Sequence, residues 1–375
     1  MIFTIYLNNF ILSWNIIKIM RTDNLQEIHA LMSRLDERQP KSRSELLMFF
    51  ENCKKCKIID SHNTLSIVVI FTGVSRKYAI KIEYGQYSAT YNELQWYKKY
   101  SLPGIKASFI CGKSFRDYSY IVMSYIDEMY TLADIIFKKR PQLDSILELI
   151  DIVFEANDRL FESTKRSVSP YIQYSDSYRK FKLRMREAST YPFLNTLINS
   201  DTVHINGTVY LPPHKLLESQ PNSTLVRKLF NGESGIIHGD LHIGNIVYST
   251  LYKDRHYTLD PGSIKPLPLQ YDGGKILQSI HSGYEQVMRG QYSIKQTGER
   301  SYELLVNKVD ILGKIYSYLS VTWDNNLLFR SLFMEAMHFL TMAPHHAAKR
   351  NEATALYLIG VLRLNEVFSI IKTLD

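Results

Sequence analysis

Cysteine is scarce. The chain has three in 375 residues, Cys53, Cys56 and Cys111. An odd count this low excludes a disulfide framework and fits a reducing cytoplasm. Cys53 and Cys56 form a C-x-x-C, but no second cysteine or histidine pair completes a zinc site, so the spacing reads as coincidence in a lysine-rich helix end. Long hydrophobic runs are lacking too. The longest uncharged stretch, Met1 to Ile17, contains Asn8, Asn9 and Asn15 and is short and polar for a membrane span. No basic region precedes it and no small-residue cleavage site follows, which argues against a signal peptide. No stable membrane insertion is expected. Met20 opens a more ordinary soluble N-terminus, so translation is expected to start there, with residues 1–19 marginal to the fold. G-x-S-x-G, H-E-x-x-H and Walker A runs are absent, as are internal repeats and low-complexity tracts. His345-His346 suggests metal, but adjacent side chains on a helix end point apart, which favours packing.

What is present is ordinary in bulk. Hydrophobic residues make up 45% and charged residues 22%, enough for a large core in two domains or lobes. The net charge of +8 comes without a long basic run. It reads as scattered surface lysine, with no nucleic-acid partner expected, although a site for nucleotide phosphates would benefit.

Periodicity divides the chain. Leu25, Ile28, Leu31, Met32 and Leu35 have helical spacing, and a second helix over Ser44 to Cys56 has Ser44 as its N-cap. The period then shortens. Strands are expected over 57–60, 65–71, 77–82, 107–111 and 118–124, the last two joined through Gly112-Lys113. Ser88 to Tyr100 reads as a helix. Beyond residue 130, helices are expected over 143–161, 175–188, 223–230, 270–284, 301–319, 325–342 and 351–374, with Tyr171, Tyr174 and Tyr178 as packing residues between the first two. Asn206-Gly207 marks a hairpin.

One stretch carries the chemistry: Ile237-His238-Gly239-Asp240-Leu241-His242-Ile243-Gly244-Asn245-Ile246-Val247, followed by Leu259-Asp260-Pro261-Gly262. An Asp, an Asn five residues on and a second Asp after a strand suit phosphoryl transfer. Asp240 can accept a hydroxyl proton, and Asn245 and Asp260 can hold magnesium ions that bridge nucleotide phosphates. Upstream, Lys81 shares a strand face with Ala79, and Glu93 lies twelve residues on, placed to pair with it and hold it towards the α/β-phosphates. Ser124, Tyr125 and Ile126 offer backbone to an adenine edge. His238 and His242 read as supporting residues, and Asp272 as an anchor for the loop after Asp260.

Ala79-Ile80-Lys81, Glu93, the H-G-D-x-H-x-x-N run and Asp260-Pro261 come in kinase order. Together they resemble the aminoglycoside phosphotransferase and choline kinase-like superfamily over about residues 57–345. Protein kinases would read His-Arg-Asp and Asp-Phe-Gly. Tyr271-Asp272-Gly273-Gly274-Lys275-Ile276 with His281-Ser282 is similar to phosphotransferases found among surface-polysaccharide genes. The resemblance implies an α+β, bilobal protein kinase-like fold: an N-terminal extension over 1–56, a small antiparallel-sheet lobe over 57–125 and a mostly helical lobe over 126–375. It implies a cytoplasmic enzyme using ATP and Mg2+ to phosphorylate a hydroxyl of a sugar, polyol or amino alcohol. One departure bears on that reading. The bend at Asp60 to Ser66 has no glycine, so Ser61, Asn63, Thr64 and Ser66 must supply the phosphate contacts. This keeps open a pseudokinase acting as a nucleotide-binding scaffold or sensor; a protein kinase is the other alternative.

Overall fold

The computed structural model describes residues 26–40, 42–59, 66–74, 76–85, 88–105, 109–125, 129–138, 142–217, 221–249, 256–307 and 309–374. Residues 1–19, Ser61, Asn63, Thr64 and Ile126, which carry expectations stated above, lie outside them. The chain divides into two compact units. One runs to Tyr100 and resumes over Ala107–Met129; the other takes Ser101–Lys106 and Tyr130–Asp375.

The first unit is a five-stranded antiparallel sheet flanked by helices. Helix α1 spans 26–38 and α2 Arg43–Glu51, with Ser42 rather than Ser44 as its N-cap. Strands β1 (Cys56–Ile59), β2 (Ser66–Thr72) and β3 (Lys77–Tyr84) precede helix α3 (Ala89–Lys99), and β4 (Phe109–Ser114) and β5 (Tyr118–Tyr125) follow. The sheet order is β1-β2-β3-β5-β4. Gly112-Lys113 lies inside β4, opposite Ile121 and Tyr120, and not in the turn. Alternation explains the packing. Tyr78, Ile80 and Ile82 of β3 face a core with Ile28, Leu31 and Leu35 of α1 and Leu46 and Phe50 of α2. The intervening residues of β3 face the other way.

The second unit opens with β6 (Met129–Thr131), α4 (Leu132–Lys138), α5 (Leu143–Thr164), β7 (Arg166–Ser167), α6 (Pro170–Ala188) and α7 (Pro192–Ile198). Tyr171, Tyr174 and Tyr178 lie on α6, which starts at a proline suited to the first helical turn. Strands β8 (Val203–Ile205) and β9 (Thr208–Tyr210) form the hairpin, with Asn206 and Gly207 at φ 52° and 78°. Next come α8 (Pro213–Leu216), α9 (Ser223–Leu229), β10 (Glu233–Ser234), β11 (Ile246–Ser249), β12 (His256–Thr258), α10 (Gln270–Ile280) and α11 (Tyr284–Met288). The single helix expected over 270–284 breaks at Gly283, whose φ is 81°.

The helix expected over 301–319 is wrong in its first half. Tyr292–Gly298 (β13) and Ser301–Val306 (β14) form a hairpin, and β14 continues into a parallel pairing with β8. Alternation of Tyr302 and Leu304, both buried, with exposed Glu303 and Leu305 decides for the strand. The helix starts only at α12 (Asp310–Thr322), before α13 (Asn325–Met342), a 3-10 turn (Ala343–His346) and α14 (Arg350–Leu374). By length and composition α14 could cross a membrane, but 67% of its apolar window is buried in the unit. Phe333, Met337 and Leu340 of α13 and Leu356, Leu358 and Val361 of α14 belong to one core with α6, α7 and β14.

Candidate active site

In the first unit, Lys81 sits mid-strand on β3, opposite Val68 and Ile121. Its ammonium pairs with the Glu93 carboxylate of α3, and the two side chains are only 12% and 6% exposed. The helix is fixed at its start. Ser88 Oγ accepts from Tyr91 N at 3.2 Å, and Glu83 Oε2 at the end of β3 accepts from Thr90 N at 2.9 Å. The strand that carries the lysine thus also anchors the helix that carries its partner. Ser124 and Tyr125 end β5 opposite Tyr78 and Lys77. Ser66 is buried at the start of β2.

In the second unit, the His238–Asn245 loop crosses the Asp260–Gly262 segment backbone to backbone. Gly262 N donates to His238 O at 2.7 Å. Gly239 has φ 81°, and a Cβ on it would lie 2.9 Å from Ser263 N, so only glycine fits. Leu259 N donates to Asn245 O at 2.9 Å, extending the β11–β12 pairing by one step and setting Asp260 just beyond Asn245. Asp260 itself has φ 54°, unusual for a residue with a side chain, and is followed by Pro261. Asn245 Nδ2 donates to Asp240 O at 2.9 Å and to Asp240 Oδ2 at 3.2 Å, leaving its amide oxygen as the atom suited to a hard cation. Asp240, Asn245 and the Asp260 segment are therefore brought together within one unit.

A buried polar network holds the loop from behind. Asp272 at the start of α10 accepts from Gly239 N at 2.9 Å, Leu241 N at 3.2 Å and Asn157 Nδ2 at 3.0 Å. It anchors the Asp240 loop, not the loop after Asp260. Burial pushes its carboxyl up to about 6 despite the hydrogen bonds from Gly239 and Leu241. Asn157 of α5 also accepts from His238 N at 2.8 Å. His238 is fully buried, Asp240 N donates to its Nδ1 at 3.3 Å, and desolvation pushes its pKa down to about 4. It is a neutral acceptor, not a proton carrier.

Asp240 is a third exposed, and Lys275 Nζ lies 2.9 Å from its Oδ1. Burial opposes its charge, but the Lys275 ammonium outweighs burial and holds the carboxyl well below the usual range. Lys275 is pushed up in turn: burial works against its charge and the Asp240 carboxylate overcomes it. His242 stands 3.9 Å from Asp240 Oδ2 and 3.5 Å from Glu285 Oε1, edge-on to Tyr284.

Asn157 and the ion pair of Lys275 with Asp240 were not read from the sequence, yet both left signals. Asn157 is a polar residue on the apolar stripe Ile150, Val153, Phe154, Leu160. Gly273-Gly274 is costly inside a helix. A Cβ on Gly274 would lie 2.7 Å from Glu335 N of α13, so the pair lets α10 lie close against its neighbour with Asp272 and Lys275 on either side of the contact. The three cysteines are free, and no group of three or more His, Cys, Asp or Glu able to hold a metal occurs among the described residues.

Neither a family model nor a curated protein matches the chain. Solved structures do. A thermostable mutant of aminoglycoside phosphotransferase APH(4)-Ia, in ternary complex with ADP and hygromycin B, matches 87% of this chain and 98% of its own, at 9% identity and a TM-score of 0.52. APH(4)-Ia itself matches 86% and 96%, at 10% identity and a TM-score of 0.52. At such identities the likeness is one of fold. The chain has the α+β protein kinase-like fold of the aminoglycoside phosphotransferases.

Proposed function

We propose that the chain is an ATP- and magnesium-dependent phosphotransferase acting on a hydroxyl of a small molecule, a sugar, polyol or amino alcohol. The observation that carries this is the meeting of Asp240, Asn245 and the Asp260 segment on a loop braced by Asp272 and Asn157. The fold neighbour's bound ADP and hygromycin B support a nucleotide and a small acceptor.

Asp240 orients the acceptor hydroxyl and takes its proton. A carboxyl held ionised beside Lys275 is a weak base in isolation, so its part is positioning first and proton acceptance as the oxygen–phosphorus bond forms. The Asn245 amide oxygen and the Asp260 carboxylate would hold magnesium. Two oxygen donors suit a cation that keeps its remaining positions for water and phosphate. Bound there, magnesium supplies charge neutralisation on the transferring group. Lys81, fixed by Glu93, binds the α/β-phosphates, and the Ser124–Ile126 backbone meets the base.

The test measures ATP consumption against a panel of sugars, polyols and amino alcohols, together with nucleotide binding. Asp240→Ala is expected to lower turnover on the order of 10²-fold or more while binding nucleotide as before. Unchanged turnover would sink the assignment of Asp240. Nucleotide binding without turnover on any acceptor would favour the scaffold reading.

A further inference from the structure

We infer that the acceptor taken at Asp240 is an anion: a sugar or polyol carrying a phosphate or carboxylate about one helical turn from the hydroxyl that receives the phosphoryl group. This rests on the phosphotransferase reading and narrows it.

The observation is how charge is paired along one face of α10. Tyr271 and Lys275 are one turn apart, about 5.4 Å along the axis. Lys275 meets Asp240 at 2.9 Å. Tyr271 OH accepts from Lys180 Nζ of α6 at 2.9 Å, and the ammonium lies 5.3 Å over the same ring. The ring is held in turn, edge-on to His338 at 4.4 Å, with His338 Nε2 donating to Tyr271 O at 2.9 Å. So Lys180 is positioned by a phenol, not by a carboxylate.

Three carboxylates nearby already have cations: Asp240 has Lys275, Glu187 has Arg184 and Glu352 has Lys349. Glu285 lies against the His242 ring. Among the described residues, Lys180 has no carboxylate partner. The pKa of His345 is lowered by partial desolvation and by Arg184 and, more weakly, Lys180, with Glu187 opposing them. A cationic amine docked beside Asp240 would meet Lys275 and then Lys180. An acceptor whose hydroxyl reaches Asp240 and whose anionic group reaches Lys180 completes the pairing with a charge-assisted bond.

The test uses one ring at four charges: glucose 6-phosphate, glucuronate, glucose and glucosamine. Binding to the full chain is measured by calorimetry without nucleotide, and transfer by ADP release. The two anions should bind about tenfold or more tightly than glucose, as one charge-assisted bond allows, and glucosamine more weakly. Lys180→Glu should weaken the anions and strengthen glucosamine. The two anions separate phosphate from carboxylate as the recognised group. Affinities that ignore charge, a Lys180→Glu variant that moves all four probes alike, or no binding of any probe overturns the inference. Charge-ordered binding with no transfer to any bound probe would sink the phosphotransferase reading and leave the anion site standing. Transfer without charge order would do the reverse.

Discussion

The two units hold their functional side chains by opposite means. In the first, Lys81 projects from a strand whose other face, Tyr78, Ile80 and Ile82, is locked into an apolar core, and one carboxylate, Glu93, fixes its ammonium. In the second, Asp240 sits on a loop without regular structure, held by buried polar atoms: Asp272, Asn157 and the His238 ring. A strand orients a side chain through its pleat, so the direction of Lys81 is set by the backbone before Glu93 meets it. A loop has no ladder to satisfy its backbone, and each N–H turned inward needs an acceptor. The loop should therefore be much more sensitive to the loss of a single polar side chain.

Asp272→Ala should show the largest effect. It strips the acceptor from Gly239 N, Leu241 N and Asn157 Nδ2 together. Stability should fall on the order of 3 kcal/mol, since unmet buried donors cost 1–3 kcal/mol each and the chain relaxes around some of them. Turnover should fall on the order of 10²-fold, because a displaced loop misplaces Asp240. Denaturant unfolding and ATP consumption check this. Turnover within twofold of wild type would mean that the loop holds its shape without the network.

Glu93→Gln is the milder counterpart. The glutamine keeps an acceptor near Lys81 but loses the charge of a pair that is 12% and 6% exposed. Nucleotide KM should rise about tenfold, with kcat changed less, since positioning of phosphates is lost and Asp240 is untouched. Hydrogen exchange should report loosening confined to α3 and its strand neighbours. An unchanged KM would remove Lys81 from nucleotide binding and leave the comparison one-sided.

What the sequence disclosed follows the same division. Strand β3 was legible because Tyr78, Ile80 and Ile82 alternate with less buried residues, which writes period two into it, whereas β2 and β5 were legible as short apolar runs between turns. The Asp240 loop was legible as residue types at fixed spacing. Its bracing was legible only as Asp272, assigned to the wrong loop, because Asn157 lies 115 residues before Asp272 and α5, the loop and α10 meet only when they pack. Asn157 was readable only as one polar residue on an apolar stripe. The strand β14 was misread because its short alternation, Tyr302 and Leu304, runs into the helical spacing of α12 after only a few residues. Short apolar runs satisfy both periods. Pairing with β8, almost a hundred residues earlier, decides it.

The effect that is absent at neutral pH, and the one that separates the units most cleanly, comes from acid. His238 is held at about 4 in the folded chain, against about 6.5 in the unfolded chain. Above pH 6.5 both states are neutral and His238 contributes nothing. As pH falls, the unfolded state takes a proton the folded state refuses, and stability is lost until the folded state also protonates near pH 4. The gap corresponds to about 3 kcal/mol. Asp272 runs the other way: its folded carboxyl takes up a proton near pH 6, before the unfolded one does near 4, and so gains stability over that window. In the wild type the two oppose each other. His238→Gln removes only the first. Whatever its offset at pH 7, the variant should gain on wild type by up to about 3 kcal/mol between pH 6.5 and 4 in urea unfolding. In the first unit the one described histidine, His29, is exposed, so exchange protection of β2 and β3 should show no matching difference. A stability difference between variant and wild type that stays constant with pH would mean that His238 is not held neutral behind the loop. The second unit would then lose the polar bracing that sets it apart from the first.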